Sequence, residues 1–162
     1  MASIISYLGI ALGIILIYIA PEEQKHGKGY FLFLRNIFFM LILLFLLFFY
    51  YKSIFIVLFV VISLIVFLSL NKKLISGSFK KINKISDINK SLIAYTVLAI
   101  IFYLSYKNIN LFIIESSLIF LYGVANASLL FNLKGKNYLE ILLKHILFVI
   151  VAIALFLLFW SI

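Results

Sequence analysis

The side chains best suited to bind a proton or a cation lie in one long apolar stretch. They are separated by seven, seven and four positions and form the polar stripe: Asn108, Glu115, Tyr122 and Asn126. A helix turns by about 100° per residue, so it places all of them within a narrow arc of one face. An ionisable group inside a membrane is costly and usually faces a bundle interior or a wet cavity. The stripe therefore predicts a path along which a carboxylate binds a proton or a cation.

Glu115 also has a structural interpretation. Low dielectric favours the protonated carboxyl unless a cation pairs with it, and Lys52 and Lys107 are the cations predicted on the same side of the membrane. A tyrosine or lysine across a helix interface, or the wet headgroup region, would satisfy the carboxylate without any transport role.

Small residues recur at helical spacing in two apolar stretches. The first contains Ser6, Gly9 and Gly13, and the fifth contains Gly123 and Ala127. Small residues four positions apart let another helix approach closely, which drives packing where lipid removes the usual hydrophobic force. The spacing predicts helix contacts within the chain, with contact between subunits as the alternative.

Catalytic and metal-binding patterns are missing from the sequence. There is no cysteine and one aspartate, Asp87, and no His-Glu-x-x-His, Gly-x-Ser-x-Gly or phosphate-loop motif occurs. His26 and His145 lie on separate connections, which is a poor metal signature. We expect no metal and no cofactor, and a non-catalytic protein is favoured over an enzyme.

The stretches that carry these residues are too apolar for a soluble domain. Of 162 residues, 67% are hydrophobic and 12% charged, whereas soluble domains are about half apolar and a quarter charged. About 20 residues of helix span a bilayer core. We predict an all-α, polytopic transmembrane helical bundle, a single integral membrane domain over 1–162, with three consecutive helical hairpins. The predicted spans are 3–20, 31–49, 53–70, 91–106, 109–131 and 138–161.

Basic residues between the spans predict the orientation. Connections one, three and five, with the adjoining helix ends, hold twelve lysines and arginines, and the opposite side holds two. Short cytoplasmic loops carry the excess of basic residues. The pattern predicts a cell-membrane protein with both termini outside the cytoplasm.

The net charge of +9 is therefore interpreted as a membrane feature and not as a nucleic-acid interface. The connection at 71–90 is basic and partly amphipathic, which is typical of a helix lying at anionic headgroups. The residues predicted to contact headgroups of anionic lipids at the cytoplasmic face are Lys28, Arg35, Lys73, Lys80, Lys81, Lys84, Lys136 and Lys144.

Three functions fit these patterns. The first is a non-catalytic membrane component that packs with partner membrane proteins or with its own copies. The second is a small transporter or channel that uses Glu115. The third is a protein or enzyme that handles lipid headgroups through its basic face.

Overall fold

The structure, a computed structural model, describes residues 2–75, 84–130, 142–143 and 145–159. These residues contain six α-helices and no strand, so the all-helical prediction is confirmed. The helices are α1 (Ala2–Ile19), α2 (Pro21–Tyr50), α3 (Ile54–Ile75), α4 (Lys84–Ser105), α5 (Ile109–Leu130) and α6 (Leu147–Phe159).

The junction between α1 and α2 differs from the predicted polar connection at 21–29. Ala20 alone separates the two helices, and Pro21 occupies the first turn of α2. Proline is well suited there because the first N–H groups of a helix have no partner inside it. Glu22 follows in the first turn, where the helix dipole favours negative charge. The polar segment therefore continues α2 instead of forming a loop.

The long third connection is also shorter than predicted. Within 71–90, the described residues extend α3 to Ile75 and begin α4 at Lys84. Residues 76–83 of the predicted interfacial helix at 71–90 lie outside the described residues, and so do residues 138–141 at the start of the predicted sixth span.

The helices do not pack as three consecutive hairpins. α5 is central and packs against α1, α2 and α4, while α6 packs mainly on α4 and α3 mainly on α2. An antiparallel helix pair needs a connecting loop of a few residues, and the single residue Ala20 does not provide one. α1 therefore packs on α5 and makes little contact with α2.

Neighbouring helices run in defined directions. α1 is parallel to α5 and α4 is parallel to α6, whereas α4 is antiparallel to α5 and α2 to α3. For α1 and α5 the contacts are Ser6–Ser116 and Gly13–Val124, and for α4 and α6 they are Ser91–His145 and Tyr106–Phe156. For α4 and α5 they are Ser91–Asn126 and Phe102–Phe112, and for α2 and α3 they are Tyr50–Ser53 and Phe39–Phe67.

Apolar side chains fill the core and also cover much of the outer surface. Tyr95 and Tyr122 are buried at the centre, while Phe55 is 81% exposed and Phe48 is 71% exposed. Within the described residues, two segments are long and apolar enough to cross a membrane, His26–Tyr50 and Ile109–Leu129. The shorter apolar helical segments are Ser3–Ile19, Ile54–Ser69, Asn89–Ser105 and Leu147–Leu158.

Candidate proton or cation site

The small residues of α1 and α5 face each other inside the chain. A Cβ atom added to Gly9 would overlap the backbone oxygen of Phe120, and one added to Gly13 would lie 2.6 Å from the backbone oxygen of Val124. Such distances leave no space for a side chain. The two helix backbones are therefore in direct contact at these glycines.

The other predicted packing residues belong to the same contact. A Cβ atom on Gly123 would lie 3.1 Å from backbone atoms of α1. A Cβ atom added to Gly13 would lie 2.7 Å from the Cβ of Ala127. The Ser6 hydroxyl donates a hydrogen bond to the Ser116 carbonyl at 3.1 Å. The surface that the sequence offered to a partner helix is thus occupied by α1 and α5 themselves, and it fixes how α5 is seated.

Asn108 has a different role from the rest of the stripe. Its side-chain oxygen accepts hydrogen bonds from the backbone N–H groups of Asn110 and Leu111, at 3.1 and 3.2 Å. This is the arrangement of a helix N-cap, which satisfies donors that the first turn leaves unpaired. Asn108 therefore begins α5 and does not line a path through it.

Glu115 is completely buried. Its exposed fraction is 0%, and neither carboxylate oxygen has a hydrogen-bond partner among the described residues. Lys52 and Lys107 are exposed, and the Lys52 ammonium lies 5.8 Å from the centre of the neighbouring Tyr51 ring. The expected lysine partner is therefore not found, because both lysines extend into the surroundings.

Tyr122 lies on the same face of α5, between Glu115 and Asn126. Its buried ring packs against Tyr95 at 5.6 Å and against Phe39 at 6.0 Å between centroids. Arg35, which the sequence predicts near lipid headgroups, is half-buried in α2.

Asn126 takes part in a buried hydrogen-bonded triad with residues of two other helical segments. Its amide nitrogen donates to the Ser91 hydroxyl at 2.7 Å, and the Ser91 oxygen lies 2.5 Å from Nε2 of His145. The exposed fractions of Asn126, Ser91 and His145 are 1%, 5% and 0%. The Tyr95 and His145 rings pack edge to face, with 4.9 Å between their centroids.

The hydrogen-bonding capacities of the side chains limit the roles within this triad. An amide N–H only donates, so Asn126 occupies one lone pair of the Ser91 oxygen. This oxygen keeps its own proton and a second lone pair, so Nε2 of His145 accepts from Ser91 in one neutral tautomer and donates to it in the other. The sequence gives no signal for Ser91, and it predicts His145 at most as a weak metal ligand. The signal for a buried role of His145 is a titratable group within an apolar run.

Lys28 and Arg35 are the predicted headgroup residues whose side chains the structure describes. Lys28 is half-buried in α2. Lys73 and Lys84 lie in the last turns of α3 and at the start of α4, and Lys80, Lys81, Lys136 and Lys144 lie outside the described residues. In the described part of the chain, no group of three or more side chains could hold a metal ion.

Comparison with known proteins gives no relative. No family model, curated protein or solved structure matches the chain.

Proposed function

We propose that the chain is a polytopic integral membrane protein that moves a proton or a small cation across the bilayer, with Glu115 as the binding carboxylate. The observation that carries the proposal is the complete burial of Glu115 with neither oxygen hydrogen-bonded in the described part of the bundle.

Two features of the fold support the membrane location. The outward-facing side chains are apolar over several helices, including Phe55, Phe48 and Leu157, which is 70% exposed. Water would oppose such a surface, and lipid would cover it. The helix directions described above also fit spans that cross alternately in opposite senses, since odd-numbered α1 and α5 are parallel and even-numbered α4 and α6 are parallel.

The energetics of Glu115 support transport over a purely structural role. A buried polar group without a hydrogen bond costs about 1–3 kcal/mol, and an apolar residue of similar size would avoid that cost. Intramembrane carboxyl groups mark ion pathways and proton relays. A role in binding a transported species explains why the bundle contains a carboxyl group with no partner.

The orientation follows from the basic residues of the sequence. Twelve of them lie on connections one, three and five or the adjoining helix ends, which favours these connections as the cytoplasmic side of the cell membrane. Both termini would then lie outside the cytoplasm, and Lys28 would be among the residues near anionic headgroups. Lipid contact of this kind sets topology and requires no chemistry on the headgroup.

A subunit that binds partner helices through its small residues is less well supported. Gly9, Gly13 and Gly123 are already in contact with backbone atoms of the same chain. A partner would have to use another surface, and the apolar outer faces are equally suited to lipid.

The test is cation flux in vesicles reconstituted with purified protein. Glu115→Gln removes the ionisable group and keeps the side-chain size, and we expect it to reduce flux to the level of protein-free vesicles. Glu22→Gln is the matched control because Glu22 is exposed at the start of α2. Flux that persists in Glu115→Gln would refute the proposal, and so would the absence of flux in the unmodified protein.

A further inference from the structure

We infer that the transported cation is a proton, and that the triad of Asn126, Ser91 and His145 is a second protonation site on the same pathway as Glu115. This inference rests on the proposed function and specifies its substrate. Two observations carry it, one at each site.

The first observation is the set of atoms around Glu115. A sodium ion that sheds its water needs several oxygen ligands, which transporters supply from the backbone carbonyls of discontinuous helices. α5 is a continuous helix from Ile109 to Leu130, so its carbonyls near Glu115 are used in helical hydrogen bonds. No described polar atom hydrogen-bonds either oxygen of Glu115. A proton needs only one of these oxygens, because it forms a covalent O–H bond.

The second observation is the hydrogen bond between Ser91 and His145. The Ser91 oxygen lies 2.5 Å from Nε2 of His145. In the proposed resting state the His145 proton is on Nδ1, so Nε2 accepts from Ser91 and is the ring atom that can take up a further proton. When it does so, an N–H bond forms at Nε2 and the imidazolium donates to Ser91. The Ser91 hydroxyl then turns its own proton to the carbonyl one turn earlier in α4, as serine does in helices.

Asn126 allows both states of the triad. Its amide donates to the Ser91 oxygen at 2.7 Å, and this oxygen has two lone pairs, so the second remains open to protonated His145. The Tyr95 ring on α4 packs against the His145 ring, and Asn126 on α5 is linked to His145 through Ser91. The site can therefore gain and lose a proton without breaking its anchor to α5.

The two sites share one face of α5. Glu115 and Asn126 are eleven residues apart, which corresponds to about 16 Å along the helix axis. Tyr122 lies between them on this face and is buried. Glu115 and the triad are therefore two separate sites along one face of α5.

The experiment compares two ions in reconstituted vesicles under an imposed potential. Proton entry is measured with a pH-sensitive dye in the lumen, and sodium entry is measured with a radioactive tracer. We expect Glu115-dependent proton entry and no sodium entry. His145→Gln should reduce proton entry to that of protein-free vesicles, while His26→Gln, which changes an exposed histidine, should leave it unchanged.

The outcomes separate the inference from the proposed function. Glu115-dependent sodium entry would overturn the proton assignment and leave the proposed function intact. Equal proton entry in His145→Gln and the unmodified protein would overturn the role of the triad alone. Absence of any flux in the unmodified protein would overturn both.

A spectroscopic measurement tests the triad even if His145→Gln does not fold. The chain has two histidines, so the His26→Gln variant contains His145 as its single imidazole. Nitrogen-15 NMR of this variant should show an unprotonated, hydrogen-bonded Nε2 at high pH, and Ser91→Ala should shift that resonance to the value of a free acceptor. A protonated Nε2 at high pH would contradict the assignment.

Discussion

Gly9 of α1 and Gly123 of α5 touch through their backbones: a Cβ atom on Gly123 would lie 3.1 Å from the carbonyl carbon of Gly9. The contact holds α5 against α1 and so fixes the direction in which the Glu115 face of α5 points.

Gly9→Ala should destabilise the protein by about 1–3 kcal/mol, because the new methyl group meets the rigid backbone of Phe120. The matched control is Gly29→Ala, since nothing lies within 4 Å of a Cβ atom there. Thermal unfolding in detergent measures both variants. Equal melting temperatures for Gly9→Ala and the unmodified protein would contradict the close approach of the two helices.

Asn108→Ala should lower stability by about 0.5–2 kcal/mol, the usual cost of losing an N-cap side chain. Cation flux per folded molecule should not change, because Asn108 caps α5 and does not line the proposed path. Asn110→Ala is the control, as Asn110 is exposed and contributes only its backbone N–H to the cap. Loss of flux in folded Asn108→Ala would return this residue to the pathway.

Glu115→Leu should leave the fold intact and raise stability by about 1–3 kcal/mol, because it replaces an unpaired buried carboxyl group with apolar atoms. The same variant should abolish flux. Denaturation in mild detergent and flux in vesicles would be measured on one preparation. A marked loss of stability would instead indicate that Glu115 has a structural partner.

Ser91→Ala and Asn126→Ala should not act independently. Hydrogen bonds between membrane helices couple by about 0.6 kcal/mol on average, with a maximum of about 1.7 kcal/mol, and a double-mutant cycle measures this coupling. Ser117→Ala is the control, since Ser117 is exposed and bonds only to the Ile113 carbonyl of its own helix at 3.0 Å. Additive effects of Ser91→Ala and Asn126→Ala would argue against the bond between α4 and α5.

The orientation can be measured by chemical labelling without background, because the chain contains no cysteine. Lys107→Cys should react with a membrane-impermeant maleimide added to intact cells, and Glu22→Cys should react only after the cells are opened. Both positions are exposed. The reverse pattern would show that the bias of basic residues does not set the topology of this protein.

Periodicity within one helix was the part of the site that the sequence could predict. The spacing of Glu115, Tyr122 and Asn126 reflects a single α5 face, and all three are buried. Asn108 falls at the same helical angle as these three residues. It precedes α5, however, and there an asparagine side chain hydrogen-bonds backbone N–H groups of the first turn.

A single sequence does not predict which helices contact each other. Ser91 and His145 are 54 residues apart, and their bond depends on α4 packing parallel to α6. The pairing of Gly9 with Gly123 depends likewise on α1 packing against α5 and not against α2. Spacing reveals that a small or polar residue needs a partner, whereas the partner is decided by how all the helices share the available faces.

The parallel contact between α1 and α5 has a consequence for the order of assembly. Ser6 and Ser116 are bonded across 110 positions of the chain, and ribosomes add about 5–20 residues per second. Newly made α1 therefore waits several seconds before its permanent neighbour exists. In the proposed membrane protein, the glycine surface of α1 faces lipid and the insertion machinery during that interval, and α1 has to stay unpaired until α5 is inserted.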